Sequence, residues 1–208
     1  MTVLLVPRGA EERAVRRAAP DATVVGIAAG AAAAVLPGRI PDGPVIVLGL
    51  CGALRGLRAG AAVLYREVSD ERGRFTFDGE LVRALAAALP ALTIVSACTT
   101  DHVVTRATER AALAAAYSAD VVDMEGTHVA RALAAAGRPV LMVRVASDDP
   151  SYDLPPIEQT IGPDGEVLPL RLARAFAARP LAALRFVRDV QRALRALGET
   201  ALAVSRPA

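Results

Sequence analysis

Apolar residues come along this chain in short continuous runs, and the stretches between them are richer in charge and mixed in period. Residues 3–6 (Val-Leu-Leu-Val) predict a buried first strand, residues 10–19 a helix ended by Pro20, and residues 23–27 a second strand. A short Ala-rich helix is expected over 30–36, ended by Pro37-Gly38. The run Pro44-Val45-Ile46-Val47-Leu48 meets glycines, as a central strand would. Residues 61–68 are β-rich in their first half; 80–89 read as a helix stopped by Pro90, 93–97 as a strand, 108–117 as a helix and 121–122 as a short strand. A helix over 127–136 has Gly137 as its natural cap and Pro139 beyond it, and 140–146 is a nearly continuous apolar strand. Strands alternating with helices predict an α/β fold: a single-domain three-layer sandwich with a mixed, mostly parallel central sheet.

After Pro150 the texture changes. Turn chemistry at Asp153-Leu154-Pro155-Pro156 and Gly162-Pro163-Asp164-Gly165 leads into helices over 170–178 and from Pro180 to 197, with the last residues frayed. The expected division of residues 1–208 is a core over 1–150 and a C-terminal helical extension over 151–208, without internal repeat or linker.

Composition refines this picture in a few places. A chain of 208 residues suits one domain with a full hydrophobic core. Ala dominates the apolar half, aromatics are scarce, and Trp and Lys are absent, so every base other than histidine is Arg. This bias reads as a GC-rich genome rather than a function. The formal charge is only +2, with no basic block or aromatic-interleaved stripe, so no nucleic-acid partner is expected. In the last forty or so residues Arg alternates with Leu, Ala and Phe. Solvated helix faces are the preferred reading there, over a membrane-surface segment. Cys51 and Cys98 read as buried thiols in a reducing compartment. The N-terminus lacks a charged n-region, and no apolar run is long enough to span a bilayer, which together predict a cytoplasmic protein without an integral membrane segment. Two Cys with two His (His102, His128) at no ligand-like spacing argue against a metal site, and no cofactor is expected.

Candidate chemistry concentrates at two predicted strand ends. Val121-Val122-Asp123-Met124-Glu125-Gly126 hands a strand over to a helix, and Val143-Arg144-Val145-Ala146-Ser147-Asp148-Asp149 ends the next strand. In α/β sheets ligands bind beyond the carboxyl ends of strands, so two such ends joined by one helix would form the floor of a polar site. A carboxylate here can accept both hydroxyls of a ribose, although helix N-terminal charge complementarity accounts for one acid equally well. Arg144 lies inside an apolar strand and needs a carboxylate partner. Ser147 and Asp148 equally fit a helix cap before Pro150. Gly49-Leu50-Cys51-Gly52-Ala53-Leu54 could bring backbone N–H groups to a ligand, or simply turn between strands; it is neither a P-loop nor a dinucleotide fingerprint. Glu11 and Glu12 follow the first strand, where a solvated first helical turn is the plain alternative.

Taken together, Glu11, Gly49-Leu50-Cys51-Gly52-Ala53-Leu54, Val122-Asp123-Met124-Glu125 and Arg144-Val145-Ala146-Ser147-Asp148 resemble, in that order, the purine nucleoside phosphorylase / methylthioadenosine–S-adenosylhomocysteine nucleosidase superfamily. The resemblance covers roughly residues 1–150. The remainder is similar to the hopanoid-associated, adenosylhopane-cleaving branch. The resemblance implies a nucleoside phosphorylase-like fold and cleavage of the N-glycosidic bond of a purine (adenine) nucleoside, with adenosylhopane or methylthioadenosine type 5′ groups as candidates. It assigns Asp148 to the proton at purine N7 and Glu11 to the attacking water. Glu125 would grip the ribose, with Asp123 and Met124 beside it, and Met124 would pack on the sugar. Ser147 would orient Asp148, and Arg144 would compensate its charge. Val103 and Val104 would line the base pocket, and Cys51 and Gly52 the Gly-rich segment. A homo-oligomer, a dimer first, is implied.

Three departures from the family pattern stand out. Leu50 replaces a hydroxyl common in phosphorylases, which favours water over phosphate as nucleophile. Val103 and Val104 are aliphatic where an aromatic often stacks on the base. Both Glu11 and Glu12 fit the glutamate within one residue; Glu11 is preferred because Val15 would anchor it. Phosphorolysis, a non-catalytic nucleoside-binding module and an unrelated dinucleotide fold are the competing readings.

Overall fold

Nine residues, Val45–Ala53, form the strand on which the sheet is assembled. The computed structural model describes residues 2–36, 38, 40–157, 160 and 168–206. In chain order its elements are β1 (Val3–Pro7), α1 (Ala10–Ala18), β2 (Thr23–Ile27), a 3-10 turn (Gly30–Ala34), β3 (Val45–Ala53), β4 (Ala62–Asp70), β5 (Gly73–Thr76), α2 (Gly79–Ala88), β6 (Thr93–Thr99), α3 (Ala107–Tyr117), β7 (Val121–Asp123), α4 (Gly126–Ala135), β8 (Val140–Ala146), α5 (Pro169–Ala178) and α6 (Pro180–Ser205). The fold is α/β with a mixed sheet.

Strand β3 pairs in parallel with β1 through Val45–Val47 and with β8 through Val45–Cys51, then antiparallel with β7 at Gly52 and Ala53. Beyond β3 the order runs β7-β6-β4-β5, and β8 bridges β3 to β4. The pairings β3–β8–β4–β6–β7–β3 therefore close a ring, with β1 and β2 added outside β3 and β5 outside β4. Parallel pairings outnumber antiparallel ones, as the alternating pattern predicts. Ring closure, which removes sheet edges, is not encoded in that pattern.

Several boundaries differ from the sequence reading. The glycines after Leu48 do not end the strand; β3 continues through Gly49 and Gly52 to Ala53. Strand β4 runs to Asp70 and makes a hairpin with β5, which the pattern does not show, turning at Gly73 with φ +117°. Helix α2 is capped by Asp78, whose carboxylate accepts the N–H groups of Glu80 and Leu81. The Ala-rich segment is a 3-10 turn, not an α-helix. Pro37 and residues 162–165, which carry two of the expected turns, lie outside the described residues except for Gly38.

Helix α6 continues to Ser205 instead of fraying after 197, because Ala193, Leu197, Ala201 and Val204 are part of the main core. It lies against α1, β3 and β8. Gly198 permits the closest approach: a Cβ there would stand 2.8 Å from the Ala18 Cβ. Val15 of α1 is fully buried beneath this contact, which fixes the helix and hence Glu11, one turn earlier. Burying one such side chain is worth about 1.5–3 kcal/mol.

Candidate active site

Strand β1 ends two residues after its last pairing with β3, so the N–H of Leu50, further along β3, has no partner from β1. The Glu11 carboxylate supplies one, accepting the Leu50 N–H at 2.6 Å. Three residues on, the Ala53 N–H donates to Asp148 Oδ1 at 2.9 Å. The end of β3 thus holds two acids by its backbone, Glu11 from the first turn of α1 and Asp148 from just beyond β8.

Around Glu11 lies a buried charge cluster. Arg144, fully buried on β8, places Nη2 3.6 Å from both Asp123 Oδ2 and Glu125 Oε2. Burial works against this guanidinium, but Asp123 and Glu125 outweigh it and push its pKa up. Gly49 lies directly opposite Arg144 in the β3–β8 register. A Cβ at Gly49 would overlap Arg144 Nη1 and stand 2.9 Å from Glu11 Oε1, so this glycine serves close approach and not a turn. Glu125 Oε1 accepts the Gly30 N–H at 2.9 Å. One cation among three acids leaves an excess of negative charge. Burial, reinforced by Glu125, pushes Glu11 up to about 7, against the Leu50 N–H and Arg144. Burial and Asp123 raise Glu125, while Arg144 restrains it.

Asp123 is buried and fully engaged. It accepts from Thr99 Oγ1 (2.8 Å), the Gly126 N–H (3.0 Å) and the Tyr65 hydroxyl (3.2 Å), besides its ion pair with Arg144. Both carboxylate oxygens are thus engaged by the protein, and they position Arg144 and the start of α4.

The second cluster centres on Asp148, which is 3 % exposed. Ser147 donates from N and Oγ to the Cys51 carbonyl at 2.8 and 3.1 Å, and its Oγ lies 3.4 Å from Asp148 Oδ2. Arg110, only 1 % exposed, places Nη2 3.2 Å from Asp148 Oδ2 and also donates to the carbonyls of Val104 and Asp149. Burial raises the Asp148 pKa, and Arg110 with the Ala53 N–H limits the rise. Gly52 stands between, its absent Cβ 3.2 Å from Val122 and 3.6 Å from Asp148 Oδ2.

One expectation is corrected here. Arg144 does not compensate Asp148; Arg110 does, and Arg144 serves Asp123 and Glu125. The ends of β7 and β8 flank β3, each pairing with it, in opposite directions, and Arg144 of β8 reaches the two acids at the end of β7.

Comparisons give the fold an identity. No family model and no curated protein matches the sequence. Among solved structures the chain superimposes on the methylthioadenosine/S-adenosylhomocysteine nucleosidase of Helicobacter pylori with TM-score 0.69 at 13% identity, covering 95% of this chain and 94% of that one. The nucleosidase of Neisseria meningitidis, solved with methylthio-immucillin-A, matches at TM-score 0.69 and 16% identity, over 98% of each chain. The futalosine hydrolase of Helicobacter pylori matches at 0.59 and 14%, over 70% of this chain and 88% of that. This chain has the nucleosidase fold.

Within that fold the remaining residues fall as follows. Glu11 reaches the charge cluster, whereas Glu12 turns away to pair with Arg16 at 2.8 Å. Met124 and Val103 are half-buried. Val104 is buried in a small apolar cluster with Leu54, Cys98, Ala114 and Val122, and its carbonyl faces Arg110. The Cys51 thiol is pushed well up by burial. His102 sits on the surface between Asp101 and Glu109, both at 2.7 Å, away from these clusters. Sequence reasoning missed Arg110, Tyr65, Thr99 and Gly30. Arg110 had a signal: with Ala107, Ala114 and Tyr117 it shares the helical spacing of the inward stripe.

Proposed function

We propose that the chain cleaves the N-glycosidic bond of a purine nucleoside, adenine in first place, with water as the nucleophile. The observation that carries this reading is the pair of backbone-held acids on either side of the β3 terminus, each with a raised pKa. Glu11, poised at about 7, suits the base that positions and deprotonates water near neutral pH. Asp148, raised by burial, suits an acid that delivers its proton to the departing base at N7. Glu125, fixed by the Gly30 N–H and Arg144, grips the ribose hydroxyls and favours the cationic sugar of the transition state. Ser147 orients Asp148, Met124 packs on the sugar, and Val103 lines the base pocket.

Water is favoured over phosphate by a specific feature. The Leu50 and Ala53 N–H groups of the Gly-rich segment are already donated to Glu11 and Asp148. A phosphate dianion needs several converging donors, and these two are taken. The candidate 5′ substituents are those the resemblance implies, of the adenosylhopane or the methylthioadenosine type. Product analysis with adenine nucleosides, in buffer with and without phosphate, tests the assignment. Adenine with free ribosyl sugar is expected in both. A sugar 1-phosphate formed only with phosphate would make the enzyme a phosphorylase, and release of no base from any nucleoside would leave a binding module.

A further inference from the structure

The arginine-rich C-terminal segment reads from sequence as solvated helix faces, and the fold places leucines among those arginines in the open. Leu170 on α5 and Leu181 and Leu184 on α6 are 84, 75 and 69 % exposed. Leu181, Leu184, Arg185 and Arg188 recur at the spacing of one helical stripe, on the outer side of α6; Ala183 and Asp189 lie on the buried side. The Phe176 and Phe186 rings meet edge to face, centroids 6.3 Å apart, and brace α5 against the first half of α6 as one surface.

This surface differs in charge from the rest of the molecule. Residues 168–195 hold seven of the 24 arginines and a single acid, Asp189, while the whole chain has an excess of only two positive charges. Asp189 is shared by Arg188 and Arg192, Arg179 pairs with Asp153 and Arg185 lies over the Tyr152 ring, so the segment keeps a positive excess after these contacts. We propose that the face formed by α5 and the first half of α6 docks on an anionic lipid surface, the leucines entering the acyl boundary and the arginines meeting the phosphates. Exposed leucines flanked by guanidinium groups are the two elements that interfacial helices combine. Charge selects the occupant. A second copy of the chain would bring the same positive face against this one, and like charges oppose that pairing, whereas an anionic leaflet attracts each arginine. Among the described residues no helix is long and apolar enough to cross a membrane, so the contact is peripheral.

Vesicle flotation with the full chain tests the proposal. Vesicles of phosphatidylcholine alone are compared with vesicles containing roughly a third phosphatidylglycerol, at low and high salt. Binding to the anionic vesicles only, weakened by salt, is expected. The Leu181→Ser/Leu184→Ser and Arg185→Gln/Arg188→Gln variants should each weaken it about tenfold or more. Thermal melting checks that each variant is folded; if the leucine variant is not, the arginine variant decides. Equal binding to both vesicle types, no binding, or binding indifferent to the folded variants would overturn the proposal. So would a leucine variant that dissociates an oligomer in sedimentation while binding vesicles as before, which would make the face a contact between copies. The assay reads binding alone, so its outcome is independent of whether the chain cleaves nucleosides.

Discussion

At the scale of single residues, the raised pKa of Glu11 links stability to activity. A carboxyl whose folded-state pKa lies near 7 rather than 4.5 binds its proton more tightly when folded. Its ionisation therefore costs stability progressively as pH rises from 4.5 to about 7, and by a constant amount above that. Glu11→Gln keeps an oxygen for the Leu50 N–H and removes the charge. It should melt higher than the parent at about pH 8, with the margin shrinking towards about pH 5, and lose most of its turnover. In the parent, the rate should climb with pH through about 7 as Glu11 ionises. Arg110→Met has the opposite character. It leaves Asp148 buried without its cation, which should cost about 3–5 kcal/mol in denaturant unfolding. With the lowering influence gone, Asp148 keeps its proton to higher pH, and the alkaline limb of the pH–rate profile should move up. Asp123, Glu125 and Asp148 stand out in the sequence because carboxylates at strand ends break an apolar pattern, whereas Glu11 by itself reads as a solvated helical turn and is picked out by the family resemblance. Which cation answers which acid was not legible, because Arg144 and Arg110 are four and thirty-eight positions from Asp148 and only the fold brings the distant one close.

At the scale of elements, β3 shows what periodicity conceals. Glycine is rare within strands and reads as a turn, so the apolar pattern alone ends the strand at Leu48. It continues because Arg144 on β8 fills the space a side chain at position 49 would use. Gly49→Ala should cost about 1–3 kcal/mol by forcing Arg144 and Glu11 aside, and should cut activity more than stability. Parallel urea-melting and turnover measurements check this; a fully active, stable variant would remove the packing argument. The hairpin strand β5 escaped notice for a different reason. It spans four residues and is largely exposed, so its apolar content is too small to register, although its partner Asp70 holds Arg131 of α4 through both carboxylate oxygens.

At the scale of the whole molecule, ring closure ties together elements far apart in sequence. Strand β7 is three residues long, yet it joins β6 to β3. No part of the ring can open without breaking pairings on both of its sides. Unfolding should therefore be one cooperative transition. Tyr65 inside the ring and Tyr152, bonded to Asp189 of α6, report on separate regions. Tyrosine fluorescence and far-UV circular dichroism should give coincident urea curves, and separate midpoints would show the ring and α6 unfolding independently. The alternation of strands and helices made the α/β class legible, but a closed ring and an open sheet share the same one-dimensional pattern.

The facing of Gly49 and Arg144 also constrains how such a protein can diverge. A lineage that gains a side chain at position 49 must already have lost the arginine at 144, and one that loses the arginine first leaves Asp123, Glu125 and Glu11 without their shared cation. Neither first step is neutral. The two positions are expected to persist or to change as a pair, which makes the strand's interior as slow to drift as the buried acids it supports.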